Sequence, residues 1–88
     1  MDRMFETEAL HSTGIYAKHS VALVRGEGAR LWDSTGREYV DCMAGHGVAN
    51  LGHAHPAVAR AIAEQARRLI TCHEAFYNDQ RSAAMDLL

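Results

Sequence analysis

Lysine is almost missing from this chain: Lys18 is the single one among 88 residues, and arginine supplies the rest of the 9 basic residues. Any chemistry that needs a primary amine therefore has one candidate. A lysine that bonds covalently to a carbonyl compound needs a buried pocket that lowers its pKa. Lys18 stands beside His19 at the entry to a strand, and it reads as a solvated charge. Proline is as scarce, with Pro56 alone, so there is no Pro-rich linker. Two cysteines, Cys42 and Cys72, do not make a disulfide framework, and they read as reduced, partly buried thiols in a cytosolic protein. No apolar run approaches the length of a membrane span. The first residues, MDRMFETEAL, are acidic and lack the apolar stretch of a secretory signal. An excess of one charge sign is missing too. Nine Lys and Arg against 11 Asp and Glu give a net charge of −2, and the basic residues are scattered. That pattern excludes a nucleic-acid footprint and an anionic-membrane footprint. The expected compartment is the cytoplasm.

What is present is an ordinary globular composition, 48% hydrophobic, which argues against disorder. A chain of this size makes one small domain at most. It buries about 60–65% of the surface of its unfolded form, and by itself it has a net stability of a few kcal/mol at best.

Residues 1–16 form an N-terminal arm that has the makings of a short helix. Residues 17–55 hold a β-meander and a Gly/His-rich loop. The β-branched run Val21–Val24 predicts a first strand, Arg25-Gly26-Glu27-Gly28 a tight turn, and Ala29–Trp32 the return strand, with Trp32 as a core anchor. Asp33-Ser34-Thr35-Gly36 predicts a second turn in which Asp33 accepts from backbone amides ahead of it. Glu38-Tyr39-Val40-Asp41 alternates as a third strand should. Residues 56–88 read as helical. Pro56 suits a first turn, Val58, Ile62, Ala66 and Leu69 share one stripe, and Arg60, Glu64 and Arg68 another at i,i+4 spacing. Asn78 is a good N-cap for a last helix. That helix reaches Asp86-Leu87-Leu88 without a capping glycine or a basic last turn, the pattern of an element cut short. The expected class is α+β: a three-stranded antiparallel meander followed by two helices.

The densest feature is Gly45-His46-Gly47-Val48-Ala49-Asn50-Leu51-Gly52-His53-Ala54-His55-Pro56. Its glycines miss the spacing of a dinucleotide fingerprint, and no P-loop GK[ST] follows. His46, His53, His55, His73, Cys42 and Cys72 are suitable metal-ligand types, but they show no C-x-x-C, no H-x₃₋₅-H pair and no HEXXH. A His-x-His pair before a helix more often orders a turn, so no metal residues are assigned. Ser12, Ser20, Ser34 and Ser82 lack a G-x-S-x-G context, and His46 and His73 near the two cysteines do not by themselves make a dyad.

The run from Val24 to Asp41, VRGEGARLWDSTGREYVD, resembles the opening meander of class III (fold type I) pyridoxal-phosphate-dependent aminotransferases. Asn50-Leu51-Gly52-His53-Ala54-His55-Pro56 is similar to that family's GHxHP turn into a helix, and Ala75-Phe76-Tyr77-Asn78 matches the pattern after it. The resemblance runs from about Tyr16 to Leu88. Within the class, the acetylornithine/ornithine group is the nearest. His11–Tyr16 and the Cys42–Leu51 loop resemble enzymes acting on lysine or ornithine linked to an amino-group carrier protein, in lysine and arginine biosynthesis. The reaction implied is transfer of a terminal amino group from an acylated diamine to 2-oxoglutarate. The resemblance implies a homodimeric, cytoplasmic parent enzyme that uses pyridoxal 5'-phosphate, with a large domain beyond this segment. It implies substrate contact at Tyr16 and at a loop made of Gly45, His46 and Gly47, near the dimer interface. Histidine at 46 departs from the apolar or tyrosine side chain common there. The family's imine-forming lysine, the aspartate facing the pyridine nitrogen, the phosphate-binding loop and the carboxylate-binding arginine have no counterpart here. No catalytic or cofactor-binding residue is therefore assigned, and the 88-residue chain alone is expected to bind no cofactor and to be inactive. Two alternatives stand beside this reading: a free-standing protein-interaction module, and a small His/Cys metal domain.

Overall fold

The structure, a computed structural model, describes residues 3–88. Met1 and Asp2, the first residues of the expected arm, lie outside the described residues. The chain divides into two compact units, Met1–His55 and Pro56–Leu88.

The first unit begins with helix α1, Arg3–His11. Beyond it, Lys18 forms an ion pair with Glu8, so the segment after the helix is tied back to it. The sheet has three antiparallel strands in the order β1-β2-β3: Leu23–Glu27, Arg30–Asp33 and Glu38–Val40. The expected α+β arrangement is present, the arm forms the short helix α1, and one further turn of helix is additional.

The register departs from the sequence reading at the first hairpin. Arg25-Gly26-Glu27-Gly28 is not the turn. Arg25, Gly26 and Glu27 belong to β1 and pair with Trp32, Leu31 and Arg30. The reversal is the two-residue loop Gly28-Ala29, with Gly28 at φ 58°, a left-handed conformation that suits glycine in a tight hairpin. Gly26 lies inside a strand for another reason. A Cβ there would stand 2.7 Å from the His53 Cβ, so another segment crosses too closely for any side chain. Leu23 pairs with Asp33 and Arg25 with Trp32, which leaves Val24 as a bulge.

The second turn follows the sequence reading. Asp33 Oδ1 accepts from the amides of Thr35 and Arg37, each at 2.9 Å, and from the Thr35 hydroxyl at 2.7 Å. Its Oδ2 accepts from the Tyr39 hydroxyl at 2.9 Å. Asp33 is the buried polar residue of the described chain, and no hydrophobic residue there is buried. Trp32 is therefore not a core anchor. It is half-buried, with the Arg25 guanidinium 3.6 Å from its ring centroid.

The first unit also carries the one-turn helix α2, Ala44–Gly47, and in the second unit Pro56 opens helix α3, Pro56–Arg68. Helix α4, Asp79–Leu87, starts at Asn78, whose Oδ1 accepts from the Arg81 amide at 2.9 Å. Arg68 pairs with Asp79 at 3.6 Å. The apolar stripe of α3 faces outward in this chain, with Ile62 64% exposed.

Candidate functional site

The segment from Asp41 to His55 is not featureless loop. It contains the short helix α2, Ala44–Gly47, whose backbone runs against the usual hand. Ala44, Gly45, His46 and Gly47 have φ of 55°, 60°, 68° and 80°. L-residues disfavour this region by about 1–2 kcal/mol each, and glycine does not. The alternation Ala-Gly-His-Gly confines that cost to Ala44 and His46. The turn is closed by Gly47 N–H donating to Met43 O at 3.0 Å, and by the amides of Val48 and Ala49 both donating to Ala44 O at 2.8 Å.

Asp41 holds the entry to this turn. Its Oδ1 accepts from the amides of Met43 and Ala44, at 2.9 and 3.0 Å. Its Oδ2 meets His53 Nε2 at 2.5 Å. The His53 hydrogen bond, followed by the two amides, holds the Asp41 carboxyl below its ordinary value. An ionised carboxylate can only accept, so Nε2 carries the proton in this pair. The Asp41 side chain is 10% exposed.

His53 is held from its backbone as well. Gly28 N–H donates to His53 O at 3.0 Å, and His53 N–H donates to Gly28 O at 2.8 Å. Gly52 allows this approach, since a Cβ on it would stand 3.0 Å from the Gly28 Cα. The tip of the first hairpin, the end of the third strand and the Gly-His turn are therefore one connected structure.

Of the residues singled out from sequence, Gly45, His46 and Gly47 are gathered in the left-handed turn, all exposed. Tyr16 lies between α1 and β1, 83% exposed, and no hydrogen bond joins it to the turn. Asp41 and the side-chain role of His53 were missed. The available signal was an Asp two and three residues ahead of amides entering a Gly-rich turn.

Lys18 is exposed and paired with Glu8, which does not suit a group that must attack a carbonyl compound. The described residues thus offer no fit to a covalently held pyridoxal cofactor. Among them, no three His, Cys, Asp or Glu side chains gather where they could hold a metal. Cys42 and Cys72 are free thiols.

In the second unit, Arg81 donates to Phe76 O at 2.9 Å and to Cys72 O at 3.1 Å, and His73 Nδ1 accepts from the Ala75 amide at 3.0 Å. These bonds order the segment that carries Ala75-Phe76-Tyr77-Asn78. The Phe76 and Tyr77 side chains remain exposed.

A family model described as aminotransferase class-III matches residues 14–88. The [LysW]-aminoadipate semialdehyde transaminase of Deinococcus radiodurans is 48% identical over 75 residues, covering 85% of this chain and 18% of that protein. The acetylornithine aminotransferase of Methanopyrus kandleri is 51% identical over 73 residues, covering 83% of this chain and 19% of that one. This chain therefore spans about a fifth of the length of these curated relatives. Among solved structures, the acetylornithine aminotransferase from Elizabethkingia anophelis superposes with a TM-score of 0.82 at 34% identity, over 94% of this chain and 22% of that one.

Proposed function

Since the chain belongs to the class-III aminotransferase family, we propose that it is the N-terminal part of an enzyme that transfers a terminal amino group from an acylated diamine to 2-oxoglutarate. The amine is acetylornithine-like, or a lysine or ornithine linked to a carrier protein, in arginine or lysine biosynthesis. One observation carries this reading: two relatives near 50% identity are named for an acetylated and a LysW-linked substrate.

Class III aminotransferases use pyridoxal 5'-phosphate. The cofactor supplies the electron sink of the reaction. This chain's residues would act on the substrate side. Tyr16 and the exposed turn of Gly45, His46 and Gly47 would line the amine pocket near the interface of a homodimer. In this reading residues 1–16 are an arm, 17–55 the meander with its loop, and 56–88 a helical segment that continues toward the large domain. A cytoplasmic enzyme is consistent with the described residues, none of whose helices is long and apolar enough to cross a membrane.

The test compares the 88-residue chain with the open reading frame that contains it, each purified and supplied with pyridoxal phosphate. The longer protein is expected to show a cofactor absorbance band and to transaminate acetylornithine or the carrier-linked amine with 2-oxoglutarate. The chain alone is expected to do neither. Transamination by the chain alone, or none by the longer protein, would sink the proposal.

A further inference from the structure

We infer that Asp41 and His53 are positioning residues that set amine binding by holding the left-handed turn. This deepens the function proposed above and rests on it, because that reading puts Gly45, His46 and Gly47 beside the substrate.

The turn is intrinsically unstable. Four consecutive residues with positive φ include two, Ala44 and His46, that intrinsically prefer the opposite hand. The bonds that close the turn run to Met43 O and Ala44 O. Something outside the turn must select this hand, and Asp41 is placed to do so. Its Oδ1 accepts from the amides of Met43 and Ala44, which orients the chain as it enters the first left-handed residue. Its Oδ2 meets His53 Nε2, twelve positions on. The two ends of the loop are thus tied side chain to side chain, in the manner of a compact Ω-loop.

A tie to His53 is effective because His53 cannot drift. Its backbone exchanges two hydrogen bonds with Gly28, and its Cβ fills the space left open by Gly26. The sheet therefore serves as an anchor, His53 as the fixed post and Asp41 as the arm that reaches the turn. The exposed His46 side chain owes its direction to this arrangement, although neither Asp41 nor His53 needs to touch substrate. Misplacing a group that contacts the amine equally before and during reaction raises KM and leaves kcat nearly unchanged.

The experiment uses the longer reading frame, loaded with cofactor, as wild type and as Asp41→Ala, His53→Ala, the double variant and His53→Gln. Glutamine keeps a side-chain N–H donor and so serves as the conservative rescue. Hydrogen exchange reports the amides of Val48 and Ala49, and steady-state kinetics separates KM for the amine from kcat. Each alanine variant is expected to speed exchange of those amides about ten-fold and to raise the amine KM about ten-fold, with kcat changed less than about two-fold. The double variant should add little to either single one, and His53→Gln should keep most of the wild-type protection and amine KM. Should the alanine variants not fold, His53→Phe, which removes the ring N–H and keeps the volume, decides alone through the losses expected of His53→Ala in the same two readouts. Unchanged exchange in the variants overturns the inference. So does faster exchange with an unchanged KM, since the tie would then be merely structural. A wild-type enzyme inactive on every amine would remove the aminotransferase reading instead, and the exchange measurements would still decide whether Asp41 and His53 hold the turn.

Discussion

Asp33 illustrates how much one carboxylate can organise. It takes hydrogen bonds from two amides, a threonine hydroxyl and a tyrosine hydroxyl within a single turn. The Thr35 hydroxyl contributes most to pulling its pKa down to about 2, and burial opposes it. A folded-state pKa below the ordinary 3.8 means that the unfolded chain takes up the proton first. The stability Asp33 contributes is therefore complete above about pH 4 and is lost as pH falls toward about 2. In the longer protein, the unfolding midpoint of wild type should drop across that window. That of Asp33→Asn should start lower at neutral pH and drop less, and parallel curves for the two would contradict this account. Asp33 was legible in the sequence because turn chemistry is local: the donors lie within six residues. The partner of Asp41 is twelve residues away, and only the fold brings His53 to it.

At the scale of elements, the first hairpin is the instructive case. The sequence places its reversal at Arg25–Gly28 because two glycines there look like a turn. Only one of them is in it. Gly28 turns the chain, whereas Gly26 makes room for His53. A local pattern cannot distinguish these roles, because the space Gly26 provides is occupied from 27 positions downstream. The two glycines should therefore respond differently to substitution. Gly26→Ala forces a Cβ against the His53 Cβ and should destabilise the longer protein by about 1–3 kcal/mol. Gly28→Ala meets open space and should cost about 1 kcal/mol through its positive φ alone. Urea midpoints would check the order. Equal losses at the two glycines would refute the distinction. The helices were easier to foresee. Pro56 and Asn78 mark their starts by rules that need no tertiary partner.

The whole molecule is where composition misleads. Nearly half of the residues are hydrophobic, yet none of those described is buried. The stripe of α3 is well patterned and stays exposed, at Val58, Ile62 and the Leu69 that follows the helix. Folding free energy comes mainly from apolar burial, and here there is little to oppose the conformational entropy of the chain. Purified alone, the chain should show no cooperative thermal transition. It should also bind a hydrophobic dye and self-associate as concentration rises. A sharp, concentration-independent transition of a monomer would instead favour a free-standing module. The fold was legible in the order of its parts, since strands and helices follow local pattern. The core was not, because nothing in a periodicity says whether a partner surface exists to meet it.

The turn at Ala44–Gly47 is, over its short length, a piece of mirror-image helix. At Gly45 and Gly47 chirality is irrelevant, because glycine has none. At Ala44 and His46 the genetic code can supply only the ill-fitting enantiomer. Substitution there is filtered by shape before any chemistry is considered. Valine and isoleucine would be strongly disfavoured there by branching at Cβ. A D-amino acid at either position would be at ease. Which side chains this turn can carry is thus set by handedness first, and chemistry chooses only among those that the filter leaves.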